Sequence, residues 1–345
     1  MTIDERIRAF EELSRHLQDV LSNKSGNEKL RQQIENEQHY NAWFIPVFVR
    51  QAIDAIARML DKHQIKDWIE PYRERLSSQK AVRVGVIMAG NIPLVGFHDF
   101  LCVLISGHVF VGKLSSHDAN LLPLIAEILC EIEPRFKEKI LFCEEKLSPV
   151  ERIIATGSNN TARHFSYYFQ QYPTIIRKHC NSVAILEGNE SDEALKGLAD
   201  DICLYFGLGC RSVSKIYVPE HYSFHRLFSA LDNYKNIFSQ HHKYLNNLEY
   251  QKTVHLLNAS PFLDQGIIML KENNALSSPI GIVHYQYYKN RESVSEETDS
   301  QGNALQCISC HKNGFVPLGQ TQFPKLDNYA NGINTLLFLS QKPAP

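Results

Sequence analysis

The sequence predicts an α/β protein: a doubly wound domain and a smaller α/β domain, behind an N-terminal helical segment. Three observations lead there. Apolar positions recur at helical spacing through the first 75 residues. From Val82 a strand, a helix and a second strand fit into just over thirty residues. The strand-then-helix order returns in "ERIIATGSNNTARHFSYYF".

In the first stretch Ile7, Phe10, Leu13 and Leu17 share one helix face, as do Val49, Ile53, Ile56 and Leu60. "VRVGVIM" then reads as a buried strand and "AGN" breaks it. Pro93 suits the first turn of the following helix and Gly107 its close. "HVFVGKL" is the second strand, and a right-handed βαβ crossover results. "ERIIAT" is another strand, running into the turn Thr156-Gly157-Ser158. In an open parallel sheet the ligand edge lies at the carboxyl ends of the strands. Further on, Ser191 is placed to cap a helix carrying Leu195, Leu198, Ala199 and Ile202 on one face. Strands are expected at 266–270, 280–286 and 304–309, and "NRESVSEETDSQGN" as a polar surface loop. The expected divisions are 1–75, 76–187, 188–325 and a tail, 326–345.

Composition narrows the function classes. A formal net charge of −2 exerts no long-range attraction on nucleic acid or an anionic membrane. The opening residues are charged and helical rather than a secretory leader, and no apolar run is long enough to span a bilayer. Eight cysteines without an export signal suggest reduced thiols and a cytoplasmic protein. "GHVFVGKLS" nearly spells a phosphate-binding loop, but Leu114 stands where a magnesium-binding hydroxyl is needed. "CISCH" matches a haem-attachment spacing without the export that haem attachment requires, and a lone CxxC lacks the second ligand pair of a zinc site. No metal is expected.

"YFGLGCRSVSKIYVP" is different in kind. Cys210 follows a glycine-rich turn where a helix ends and a strand begins, which leaves sulfur uncovered for an incoming carbonyl. Cys102, Cys130 and Cys203, on apolar helix faces, suit packing instead. Arg211 is adjacent, but on a following strand it would point away from the thiol. The aromatic residues between Tyr222 and Tyr250 suit either an acyl tunnel or a core, and core is the commoner use.

Taken together, "MAGNIPLVGF", "VGKLSS", "ATGS" and "GLGC" resemble, in order and spacing, the aldehyde dehydrogenase superfamily. Within it the chain is most similar to the fatty acyl-CoA reductases of the bacterial bioluminescence type (LuxC-like), over about residues 80 to 340. The resemblance implies an aldehyde-dehydrogenase-like fold, with 76–187 binding a dinucleotide and 188–325 carrying catalysis. It implies Cys210 as nucleophile, Asn91 as oxyanion donor, Lys113 on the adenine ribose, and Thr156, Gly157 and Ser158 shaping the cofactor site.

Departures from the superfamily pattern refine this. Ile176 falls where hydrolytic members carry the glutamate that activates water. Without general-base help, typically worth ~10²–10⁴ in rate, a thioacyl-enzyme is poorly hydrolysed, whereas CoA can exchange. Ser116 replaces the glutamate that holds both ribose hydroxyls in NAD-preferring relatives, which removes a charge opposed to a 2′-phosphate and leaves Ser115, Ser116 and Lys113 as its expected donors. Ala275 falls where relatives keep a glutamate near the nicotinamide ribose. The resemblance thus implies reduction of a fatty acyl-CoA to the aldehyde with NADPH, with CoA as co-product. A hydrolytic or short-chain CoA-acylating aldehyde dehydrogenase, or a non-catalytic nucleotide-binding relative, is the alternative. A homo-oligomer is compatible with the sequence, which does not set the number of copies.

Overall fold

The computed structural model describes residues 1–22, 24, 27–143, 147, 149–312 and 314–341. The chain forms two compact units, Met1–His179 with Pro324–Pro345 and Cys180–Phe323. The division between these units falls at 179/180, where Asn181–Ile185 begins as a strand of the second unit's sheet. The N-terminal helices and the expected tail both group with the first unit, and residues 342–345 of that tail lie outside the described residues.

The first unit opens with α1 (Ile3–Leu21), started by a reciprocal cap in which Glu5 N donates to Thr2 Oγ1 and Thr2 N to Glu5 Oε2. Helices α2 (Glu28–Tyr40), α3 (Pro46–Met59), α4 (Lys62–Ile69) and α5 (Arg73–Ser78) complete this layer. Its buried face, including Ile7, Phe10, Leu13, Val49 and Ile53, is continuous with the core over the sheet. The sheet is built from β1 (Arg83–Ile87), α6 (Phe97–Ile105), β2 (Val109–Lys113), α7 (Leu121–Ile132), β3 (Ile140–Cys143), β4 (Arg152–Thr156), α8 (Asn159–Tyr168) and β5 (Thr174–Arg177). All five strands are parallel, in the order β3-β2-β1-β4-β5. The chain reverses its direction of travel between β1 and β4, so the loops after these strands flank the crevice where such sheets take ligands.

α6 begins at Phe97, not at Pro93. Leu94 is left-handed (φ 58°), a conformation a right-handed helix cannot contain, and its N–H donates to Asp118 Oδ2 at 2.8 Å. Asp118 is buried, which pushes its carboxyl up to about 7. At the far side of the sheet, buried Arg177 pairs with Asp99 of α6 at 2.5 Å and with Thr335 Oγ1 at 2.6 Å, fastening the C-terminal helix Thr335–Ser340.

The second unit comprises β6 (Asn181–Ile185), α9 (Asp192–Cys203), β7 (Val213–Pro219), α10 (His225–Leu231), α11 (Lys235–Ser239), α12 (His242–Leu257), β8 (Leu263–Asp264), β9 (Met269–Glu272), β10 (Ile282–Tyr288), α13 (Arg291–Gln301) and β11 (Leu305–Cys310). The strand order is β11-β6-β7-β10-β9-β8, parallel except for β8 against β9. α13 corrects the expected polar loop. Asn290 caps it by accepting from Ser293 N, and only Val294 and Thr298, one turn apart, are buried. Two buried positions are too few to register as an apolar stripe.

Replacing Arg177 with Met should leave Asp99 as an uncompensated buried carboxylate and cost about 3–5 kcal/mol in urea unfolding; the double variant with Asp99→Asn should recover part of it. Asp118 holds its proton more tightly when folded than when unfolded, so its contribution to stability is largest near pH 4 and falls as pH rises to about 7. Asp118→Asn should reduce that fall by on the order of a few kcal/mol, read as the change in urea midpoint between pH 5 and pH 8.

Candidate active site

Within the first unit, the expected cofactor residues gather at the carboxyl edge of three adjacent strands. Lys113 is the last residue of β2, in register with Ile87 at the end of β1, and Ile87 is in turn paired with Ala155 of β4. Asn91 lies four residues beyond β1, half-buried, in the loop held by Asp118. Ser115 braces the same loop: a Cβ at Gly90 would sit 2.5 Å from Ser115 Oγ, so only glycine fits. That hydroxyl also accepts from His117 N at 3.2 Å, while Ser116 is exposed. Thr156 ends β4, Gly157 N donates to Arg177 O, and Ser158 caps α8 by accepting from Thr161 N at 3.2 Å. Gly112, inside β2, and Lys113 at its end belong to a strand rather than a phosphate-binding loop.

Cys210 belongs to the second unit. α9 ends at Cys203, and Tyr205, Phe206 and Gly207 are then left-handed in succession (φ 56°, 55° and 73°). Such backbone is costly for Tyr and Phe. It is held by burial: the Phe206 ring lies 5.0 Å from Phe238, 4.3 Å from His241 and 5.5 Å from Tyr244. The aromatic residues after Tyr222 are therefore core at this point, anchoring the turn. Beyond it, Gly209 O accepts from Ser212 N, and Cys210 sits half-buried on the turn, its carbonyl accepting from Ser182 Oγ at 2.9 Å.

Cys210 has neighbours that sequence spacing does not show. Arg211 is on the turn, two residues before β7, so strand alternation does not apply to it. Its guanidinium lies close enough to Cys180, Cys210 and Cys307 for their charges to act on it, and it hydrogen-bonds Cys307. This overturns the expectation that it points away. The Cys180 thiol hydrogen-bonds Cys210, which pushes its pKa far up, and also donates to Gln306 Oε1 at 3.4 Å. Cys307 Sγ is 3.1 Å from Ser182 Oγ, and burial pushes its thiol up. The three thiols meet because β6 runs between β7 and β11. Asp201, whose charge reaches Cys307, is buried and accepts from Gly319 N, Thr321 N, Thr321 Oγ1 and Ser309 Oγ. Ile176 is a residue of β5 and has no proton to exchange. Ala275 lies in a loop fastened through its carbonyl to His284 Nδ1 and, at Asn274, to fully buried Lys215. Cys310 Sγ accepts from Arg291, and among the described residues no three His, Cys, Asp or Glu side chains group as a metal site.

The fold is shared with aldehyde dehydrogenases. The NAD-dependent aldehyde dehydrogenase from Sinorhizobium meliloti superposes with a TM-score of 0.61 at 13% identity, over 93% of this chain and 72% of that one. An Escherichia coli NADP dependent enzyme gives 0.60 at 14%, over 90% and 73%. Lactaldehyde dehydrogenase from Escherichia coli gives 0.57 at 13%, over 91% and 75%. No match was found among the curated proteins. The family model for acyl-CoA reductase (LuxC) matches residues 1–274, so the likeness takes in the N-terminal helices as well as both candidate loops. With that match covering most of the sequence, the chain belongs to the acyl-CoA reductase (LuxC) family.

Proposed function

We propose that this acyl-CoA reductase converts a fatty acyl-CoA to the aldehyde with NADPH, through a thioester on Cys210. The carrying observation is the setting of Cys210: a half-buried thiol on a fixed turn, beside a guanidinium and a thiol that keeps its proton. Arg211 and the Cys180 S–H both complement negative charge on the Cys210 sulfur, the form that attacks a thioester carbonyl. As the C–S bond to the enzyme forms, the side-chain amide of Asn91 and the Cys210 N–H donate to the oxyanion, and CoA leaves as the thiol.

Lys113 and Thr156–Ser158, on the carboxyl edge where the sheet reverses, fit a dinucleotide. Position 116 carries no carboxylate to repel a 2′-phosphate, and Lys113, Ser115 and Ser116 offer donors to it. NADPH, when bound, supplies the hydride that reduces the thioester carbonyl. Neither position 176, which is aliphatic, nor Asp201, which accepts from four donors, is suited to act as a base toward water. Exchange with a thiol is favoured over hydrolysis for that reason.

Incubating the protein with a long-chain acyl-CoA in the absence of NADPH should release free CoA and add one acyl mass to the Cys210 peptide. Cys210→Ser should show neither, and adduct on another residue would refute the assignment. Asn91→Ala should lower kcat by about 10²–10³ while leaving the KM for NADPH unchanged; a pure loss of cofactor affinity would contradict its role. The ratio of kcat/KM for NADPH over NADH should exceed one by at least ~10-fold, as removing the opposed charge predicts.

A further inference from the structure

The thiol cluster holds more than a nucleophile. Cys180 directly precedes β6 and Cys210 lies on the turn before β7, and these strands are neighbours with Ser182 opposite Val213. Both cysteines therefore lie just ahead of the paired ends of two neighbouring strands, and a disulfide needs a Cα separation of about 4.4–6.8 Å. The two thiols already touch through a hydrogen bond, and Ser182 Oγ pins the Cys210 carbonyl beside them. Their access to solvent differs. Cys210 is half-buried, whereas Cys180 is 2% exposed. An oxidant in solution therefore meets Cys210 first.

We propose that Cys180 is a resolving thiol for Cys210, making the pair a reversible oxidation site that a peroxide closes and a dithiol reopens. In the first step the Cys210 sulfur attacks a peroxide oxygen. An S–O bond forms, the O–O bond breaks, sulfur gives up two electrons, and water leaves after taking a proton. In the second step Cys180 sulfur attacks Cys210 sulfur, an S–S bond forms and the S–O bond breaks. The Cys180 proton goes to the departing hydroxide as a second water. A dithiol returns both electrons and restores both thiols. Closure spares Cys210 from the irreversible sulfinic and sulfonic states and blocks acyl transfer while it lasts. Cys307 is the competing partner. Its sulfur contacts Ser182 Oγ and Arg211.

The inference rests on Cys210 being the reactive thiol, and its test reads peptides rather than turnover. The full-length protein is treated with hydrogen peroxide, its remaining thiols are blocked with N-ethylmaleimide, and unreduced digests are mapped by mass spectrometry. The expected product is one linked peptide pair containing Cys180 and Cys210, two hydrogens lighter than the sum of its parts and separated by dithiothreitol. In Cys180→Ser, Cys210 should accumulate as sulfinic acid, with at least ~10-fold less dithiothreitol-recoverable thiol than in the parent. A Cys210–Cys307 link, or a reactive Cys210 that never links to Cys180, overturns the inference while leaving the thioester mechanism standing. A Cys210 inert to both peroxide and iodoacetamide overturns the two together.

Discussion

The left-handed run from Tyr205 to Gly207 is the constraint on which the rest of the candidate site depends. It stops α9, turns the chain, and delivers Cys210 to the amino end of β7 three residues later. Two non-glycine residues in this conformation cost about 1–2 kcal/mol each. Burying an aromatic ring of roughly 150–250 Å² at ~25 cal/mol per Å² returns about 4–6 kcal/mol. Phe206, 2% exposed and packed on Phe238, His241 and Tyr244, is large enough to outweigh the strain of both residues. A stiff turn matters for a nucleophile, because sulfur held in one place loses no freedom when substrate arrives.

The buried charges have a common use elsewhere in the chain. Arg177 ties the C-terminal helix to the end of β5, and Arg152 donates to the carbonyls of Phe338 and Leu339 in the same helix. Asp201 gathers Gly319 and Thr321, Lys215 fixes the 274 loop, and Asp118 fixes the loop of Asn91. Each fixes the position of a segment that lies outside the strands of the sheets. Unlike ion pairs in the open, these are shielded from water, so removing one partner leaves a charge with nowhere to go.

The neighbours of Cys210 also set the direction of its chemistry. A guanidinium and the Cys180 thiol lie beside it, and the carboxylate of Asp201, whose charge reaches Cys307, is held by backbone and hydroxyl donors. The same closeness that assists attack on an acyl group places a second sulfur where oxidation can use it.

Much of this was written in the linear chain. Strand runs such as "VRVGVIM", the capping serines 158 and 191, and a cysteine set between a glycine turn and a β-branched run all follow from local propensity. The tertiary structure decided what local rules cannot reach. Pro93 lies outside a helix because Leu94 after it is left-handed, in a loop that Asp118, far along the chain, holds through the Leu94 N–H. α13 forms on a single cap and two buried positions. Cys180, Cys210 and Cys307 meet because the order β11-β6-β7 puts strands distant in sequence side by side, and a pattern read along one strand carries no record of its neighbours. Local backbone preference sets where elements begin and end, whereas the company kept by Cys210 follows from strand pairing, which only the assembled sheet fixes.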